Sequence, residues 1–155
     1  MTAEAIIGEE GQLLYDGVGV GVGTWAELDA VIDVTGNAER AAAEIKDRSL
    51  DDVLVLPGKR TISVEGNINY KPGDAGFEAM RDAFLNKRNI GIAVMTGPIA
   101  TVGSEGWQFD AQVVSFGRGE PLEEGMQVPF TLRPSAQANS DSSAPTTPIY
   151  VEVTV

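Results

Sequence analysis

The residues of this chain whose types and spacing admit chemistry are few. They are two acidic doublets, Asp51-Asp52 and Glu123-Glu124, two basic doublets, Lys59-Arg60 and Lys87-Arg88, and a glycine–valine run over 17–23. Paired carboxylates bind calcium or work as acid and base only when several oxygens converge, and neither doublet has the spacing of an EF-hand loop. Both read as solvated loops. The run GVGVGVG suggests a phosphate cradle, but Val22 and Thr24 stand where the third glycine of G-x-G-x-x-G would fall. It reads instead as a strand connection. Gly58-Lys59 is not a P-loop, because Arg60 follows the lysine and the upstream glycine is missing. The basic doublets fit ordinary surface charge or pairing with acidic patches on an adjacent copy. The chain contains no His and no Cys. Disulfides, thiolate catalysis, Cys/His zinc sites and the Ser-His-Asp triad are thereby excluded. Carboxylate–lysine chemistry and oxygen-ligand metal sites remain open, yet nothing assembles a nucleophile, a base and an oxyanion site. No catalytic residue, cofactor or metal is expected, and the chain does not read as an enzyme.

What the sequence does specify is a set of elements. Over 61–70 the alternation is unbroken. Ile62, Val64, Ile68 and Tyr70 point one way with Gly66 in register, and Thr61, Ser63, Glu65, Asn67 and Asn69 point the other. A period of two predicts a half-buried strand with one wet face. Pro72-Gly73-Asp74 ends it, and Asp74 is placed to cap a helix over about residues 74–87. Phe77, Met80 and Phe84 give that helix one apolar stripe. Ile90, Ile92 and Val94 restart the two-residue period, as do Trp107, Phe109, Ala111 and Val113, and then Met126, Val128, Phe130 and Leu132. Pro129 suggests an edge position for the last of these. Residues 12–15 read as a first strand and 25–34 as a second, with Thr35-Gly36-Asn37 as a turn. Residues 38–46, AERAAAEIK, have helical propensity but also alternate, and a strand is favoured. Residues 47–59 read as a long loop around Val53, Leu54, Val55 and Leu56, an apolar patch that is either core or a contact to another chain. Residues 117–125 read as a turn region. Residues 1–11 read as a mobile arm, 134–148 as a flexible Ser/Thr/Pro connector, and 149–155 as a last strand that must pair somewhere. Trp25 and Trp107 suit the core or a subunit seam.

The 155 residues suit a single domain of 1–155, and the apolar content of 43% permits an independent core. No apolar run reaches the roughly 18 residues of a membrane span, and the N-terminus lacks the basic region of a signal peptide. No membrane partner is expected. The net charge of −12 argues against binding nucleic acid by charge neutralisation. It fits solubility, or a surface that must not hold a polyanion.

The order of these pieces resembles the tail tube protein (major tail protein) of long, non-contractile-tailed bacteriophages. The resemblance runs from GQLLYDG (11–17) and TWAELDAVIDVTG (24–36) through AERAAAEIKDRSLDD (38–52). LPGKRTISVEGNINYKPGDAG (56–76) is its most specific part, and WQFDAQVVSFGRG (107–119) and VPFTLRPSA (128–136) look like its closing strands. It implies a mainly β fold, a β-sandwich or barrel with one flanking α-helix. It also implies rings of six copies stacked into a tube, assembled around a tape-measure protein with tail-end proteins, in which double-stranded DNA later passes without tight binding. The expected location is the virion tail, with the host cytoplasm before assembly. In that frame Asp51, Asp52, Val53, Leu54, Val55 and Leu56 are candidate subunit-interface residues. Thr61, Ser63, Glu65, Asn67 and Asn69 are candidates to line the channel, the alternative being that they form the outer surface. A secretion-system tube protein and an independent β-sandwich binding module are the rival readings.

Overall fold

Alternating sequence becomes strand almost throughout, and one antiparallel sheet gathers the strands. The computed structural model describes residues 11–20, 23–29, 31–117, 125–139 and 141–154. Along these run β1 (Gln12–Asp16), β2 (Ala26–Glu27), β3 (Val31–Ile45), β4 (Leu54–Asn69), α1 (Ala75–Leu85), β5 (Ile90–Met95), β6 (Glu105–Phe116), β7 (Gln127–Pro134) and β8 (Ile149–Glu152). The sheet order is β2-β1-β5-β6-β7-β4-β3, with β8 added to β6. Strand β6 is its spine. One edge takes β5. The other takes β8 along Glu105–Gln108 and then β7 from Ala111 onward. At Gly106 the β5 and β6 backbones approach so closely that a Cβ would lie 1.7 Å from the Val94 carbonyl oxygen.

The sheet wraps round one interior. Leu13, Ile62, Val64, Ile68, Ile92, Phe109, Phe130 and Leu132 meet there, and α1 closes it with Phe77, Met80 and Ala83. A smaller cluster of Leu14, Ala93 and Met95 lies on the reverse face of β1 and β5. Trp107 packs at the margin of the first cluster and Trp25 at that of the second. The helix forms where its caps predict. Asp74 accepts the Phe77 N–H at 3.1 Å, and Glu78 reaches back to the Gly73 N–H. At the other end Lys87 takes a left-handed conformation, φ 54°. That lets the Arg88 N–H bond the Ala83 carbonyl, a Schellman closure. Phe84 sits at the edge of the stripe rather than in it, 6.0 Å from Phe116, and Ala83 takes the inward position.

Four sequence expectations are corrected. Residues 25–34 are not one strand. Leu28 turns into the core, donates to the Leu13 carbonyl and accepts from the Val31 N–H, so the chain bends between β2 and β3. Thr35-Gly36-Asn37 is no turn but the middle of β3, in register with Glu65, Val64 and Ser63, because continuous pairing outweighs local turn propensity. Residues 47–59 are not a long loop: β4 already begins at Leu54, and Pro57-Gly58 lie within it at a bulge opposite Ala41 and Ala42. Pro129 is not on an edge, since β7 lies between β4 and β6. Its carbonyl accepts from Gly117. The N–H and C=O of one strand residue share a direction, so the donor proline lacks faces the end of β6, where the ladder stops. The favoured strand over 38–46 is present, as the outer half of β3. In the connector 134–148, Ser135, Asn139 and Thr146 bond Asp110 of β6, and β8 pairs with β6. The arm 1–11, apart from Gly11, and Glu123-Glu124 with most of the turn 117–125 lie outside the described residues.

Candidate subunit interface and channel face

The six residues expected at an interface come together at the end of a ribbon. Strands β3 and β4 pair with each other from Val31–Ile68 to Ile45–Leu54, whereas β7 pairs β4 only from Val64 to Asn69. From Val64 to Leu54 the hairpin therefore runs on for about 33 Å at roughly 3.3 Å per residue. Every residue from Ile32 to Thr61 is exposed, on both faces of the ribbon, and burial begins at Ile62. Among the described residues no strand pairs the outer edge of β3, nor the free edge of β4 over Leu54–Ser63. An isolated two-stranded hairpin is marginal in water, and open edges recruit further strands.

The tip of the ribbon is apolar. Val53, Leu54, Val55 and Leu56 are 54%, 50%, 58% and 56% exposed, joined by Ile45 and Leu50. Ile45 stands opposite Leu54 and Ala43 opposite Leu56, so these share a face. Asp51 and Asp52 lie in the turn beside Lys46, Asp47 and Arg48. The turn is held by the Asp47 carboxylate, which accepts the Ser49 N–H at 3.0 Å. That hydrogen bond holds the Asp47 carboxyl below its ordinary value.

The second group of candidates, Thr61, Ser63, Glu65, Asn67 and Asn69, occupies one face of β4, with the core and α1 on the other side. The register supplies partners that the sequence reading missed: Glu39 opposite Thr61, Asn37 opposite Ser63, Thr35 opposite Glu65 and Asp33 opposite Asn67. Their signal was in the sequence. Polar residues at 33, 35, 37 and 39 alternate with Val34, Gly36 and Ala38, but the turn assigned at 35–37 hid the period. On the inner side Thr131, Pro129 and Gln127 of β7 continue the face. A shallow depression lies there among Asp33, Thr35, Glu65, Asn67, Pro129 and Thr131. The face carries three carboxylates, Asp33, Glu39 and Glu65, with Arg133 at its β6 side, opposite Gln112, and Lys59 next along β4 beyond Thr61.

Among the described residues two carboxylates, Asp16 and Asp110, lie inside the molecule, each held by hydrogen-bond donors. Asp16, 1% exposed, accepts the Val18 N–H at 3.1 Å and the Gly23 N–H at 2.8 Å. Asp110, fully buried, accepts from the Val20 N–H at 2.8 Å, the Thr146 N–H at 2.6 Å and Asn139 Nδ2 at 3.0 Å. Asn139 in turn accepts from Asn89 Nδ2 at 2.8 Å, and Ser135 Oγ donates to Asn89 Oδ1 at 2.6 Å. These donors satisfy the charge that burial would otherwise penalise. They fasten the glycine–valine run and the 134–148 connector to β6. Among the described residues no group of carboxylates is placed to hold a metal ion. Outside the network, Tyr150 of β8 faces Trp107 edge-on at 5.3 Å. Burial and its hydrogen bond to Glu105 raise its phenol above the ordinary tyrosine value, with the Glu105 and Glu152 charges adding to the shift.

With this geometry the chain has the tail tube fold. It is similar to the tail tube of SPP1, with a TM-score of 0.69 at 18% identity, over 96% of this chain and 80% of that one. It is similar also to the tail of the gene transfer agent particle, refined with C6 helical symmetry, with a TM-score of 0.67 at 17% identity over 88% and 98%. A chain of the sheath–tube complex of an extracellular contractile injection system is also similar in fold, with a TM-score of 0.57 at 14% identity over 92% and 89%. The sequence itself matches no family model and no curated protein, so the likeness is carried by the fold.

Proposed function

We propose that this protein is the structural subunit of a viral tail tube, in which rings of six copies stack into a conduit for double-stranded DNA. The observation that carries this reading is the β3–β4 ribbon. Its faces and edges are open in the single chain, and its tip exposes four consecutive apolar residues. A ribbon of this kind is stable when neighbouring copies cover its edges and tip, and ring closure removes sheet edges altogether. The mainly acidic face of β3 and β4 is our candidate for the channel wall. Duplex DNA carries about one negative charge per 1.7 Å of axis, and a wall poor in cations lets it slide. The interface residues are Asp51, Asp52, Val53, Leu54, Val55 and Leu56. Partners are other copies of the chain, a tape-measure protein and tail-end proteins, in the virion tail.

The similarity to the SPP1 tail tube and to the tail of a gene transfer agent particle, at higher TM-scores than that to an extracellular contractile injection system, supports this reading over a secretion-system tube. Negative-stain microscopy with light scattering of the purified protein tests it. Rings or tubes are expected as concentration and salt rise, because screening shortens from about 10 Å at 0.1 M to 3 Å at 1 M and relieves repulsion between acidic copies. Monomers alone under all conditions would refute self-assembly.

A further inference from the structure

The ribbon carries a like-charged pair where none is expected. Arg40 and Arg60 stand directly opposite each other, an arrangement that destabilises a sheet unless each charge is engaged elsewhere. Both are. Arg40 Nη1 donates to the Gly58 carbonyl at 2.9 Å, across the bulge. Arg60 leaves the ribbon. Its guanidinium lies 4.7 Å from the centre of the Trp107 ring, and its Nη2 donates to the Pro148 carbonyl at 3.0 Å. Trp107 is backed in turn by Tyr150, its register partner on β8. Among the described residues no carboxylate pairs with Arg60.

The location gives this contact a purpose. Strand β7 stops pairing with β4 at Val64. Along β6, β8 takes the place beyond the end of β7. Between β4 and β8 no backbone ladder forms among the described residues, so beyond Ile62, the last residue of β4 held in the core, the ribbon could pivot. Arg60 bridges that gap. On its far side comes the bulge between Arg40 and Ala42, where β4 contains Pro57 and Gly58. A planar guanidinium can stack on a ring and donate in its own plane at once, which an ammonium cannot.

We propose that Arg60 is a positioning residue that clamps the root of the ribbon to the β6–β8 corner and so sets the direction in which the apolar tip is presented to a neighbouring copy. Ile62 is held by the core and Arg60 by its clamp, so the ribbon moves with the body as far as Arg60 and its remaining freedom lies beyond the bulge. The consequence for assembly rests on the tube reading above, whereas the clamp itself is a property of the single chain.

The chain has no native cysteine, so a dye pair can be placed at Ser49→Cys in the turn and Lys71→Cys on the body, both exposed. Single-molecule energy transfer at picomolar concentration then reads the ribbon's direction in the monomer. The parent should give one narrow distribution. Arg60→Ala should broaden or shift it, and Arg60→Lys, which keeps the charge and the stem, should fall between. In assembly assays Arg60→Ala should raise the concentration needed for tubes by about tenfold, the scale of one cation–π contact and one hydrogen bond. An Arg60→Ala distribution identical to the parent's would overturn the clamp. A broadened distribution with tubes of unchanged yield and dimensions would overturn the positioning role. A parent that forms no tubes at any concentration refutes the tube reading instead, and the energy-transfer comparison still decides the clamp.

Discussion

Replacing Val53, Leu54 and Val55 together by serine separates an assembly contact from a folding contact. Fully burying such a side chain is worth about 1.5–3 kcal/mol. In the single chain these three remain 54%, 50% and 58% exposed, so roughly half of that, about 1 kcal/mol each, is still available to a neighbour. The triple variant should therefore lose about 3 kcal/mol per contact, which is ~100-fold in the association constant. None of the three belongs to either hydrophobic cluster, so the monomer should keep its fold, with Tm shifted by no more than about 5 °C. Sedimentation velocity across a concentration series gives the assembly threshold, and circular dichroism gives Tm. A threshold ~100-fold above the parent's with a folded monomer is the expected result. Assembly at the parent's threshold would show that the tip touches no neighbour. Unfolding of the variant would show that the tip supports the fold, and the reasoning from exposure would fail.

Glu65→Lys with Asn67→Lys places two cations on the proposed channel face. Tubes should still form, but DNA ejection from virions carrying the double variant should slow, and normal ejection would remove this face from the channel. Gly106→Ala should cost about 3 kcal/mol, because its Cβ would lie 1.7 Å from the Val94 carbonyl oxygen, while Gly17→Ala, with no atom within 4 Å, should leave Tm unchanged. Equal Tm values for the two variants would refute the close β5–β6 approach. Tyr150 has its pKa raised in the folded chain, so its contribution is present below the ordinary tyrosine range and is lost as pH rises through the raised value. Alkaline melts followed with absorbance at 295 nm should show a late-titrating tyrosine that Tyr150→Phe removes, and an unchanged titration would refute the Glu105 bond.

The core of this fold was legible because burial imposes period two on the sequence. Ile62, Val64 and Ile68 face the interior as their alternation requires, and Asp74 begins the helix that its capping chemistry allows. The ribbon was harder to read. Its residues face water on both sides, so no core selects their pattern, and Gly36 and Pro57-Gly58 send turn signals that the pairing of β3 with β4 overrides. The alternation placed Thr61, Ser63, Glu65, Asn67 and Asn69 on one face of a strand, but it did not reveal their register partners Asp33 to Glu39, for the same reason. Asp110 alternates with Phe109 and Ala111 in the sequence and so falls on the opposite face from them. Nothing local marks it as buried, since its donors come from Val20, Asn139 and Thr146.

That last arrangement bears on timing. The donors to Asp110 lie 90 residues before it and 29 and 36 residues after it, so its carboxylate is fully satisfied only when both stretches are in place. Strand β6, the spine of the sheet, therefore gains its full set of contacts only after residue 146 has been synthesised. A chain truncated before residue 139 would lose both of the later donors and keep only the Val20 N–H, so the C-terminal stretch is part of what completes the spine of the sheet.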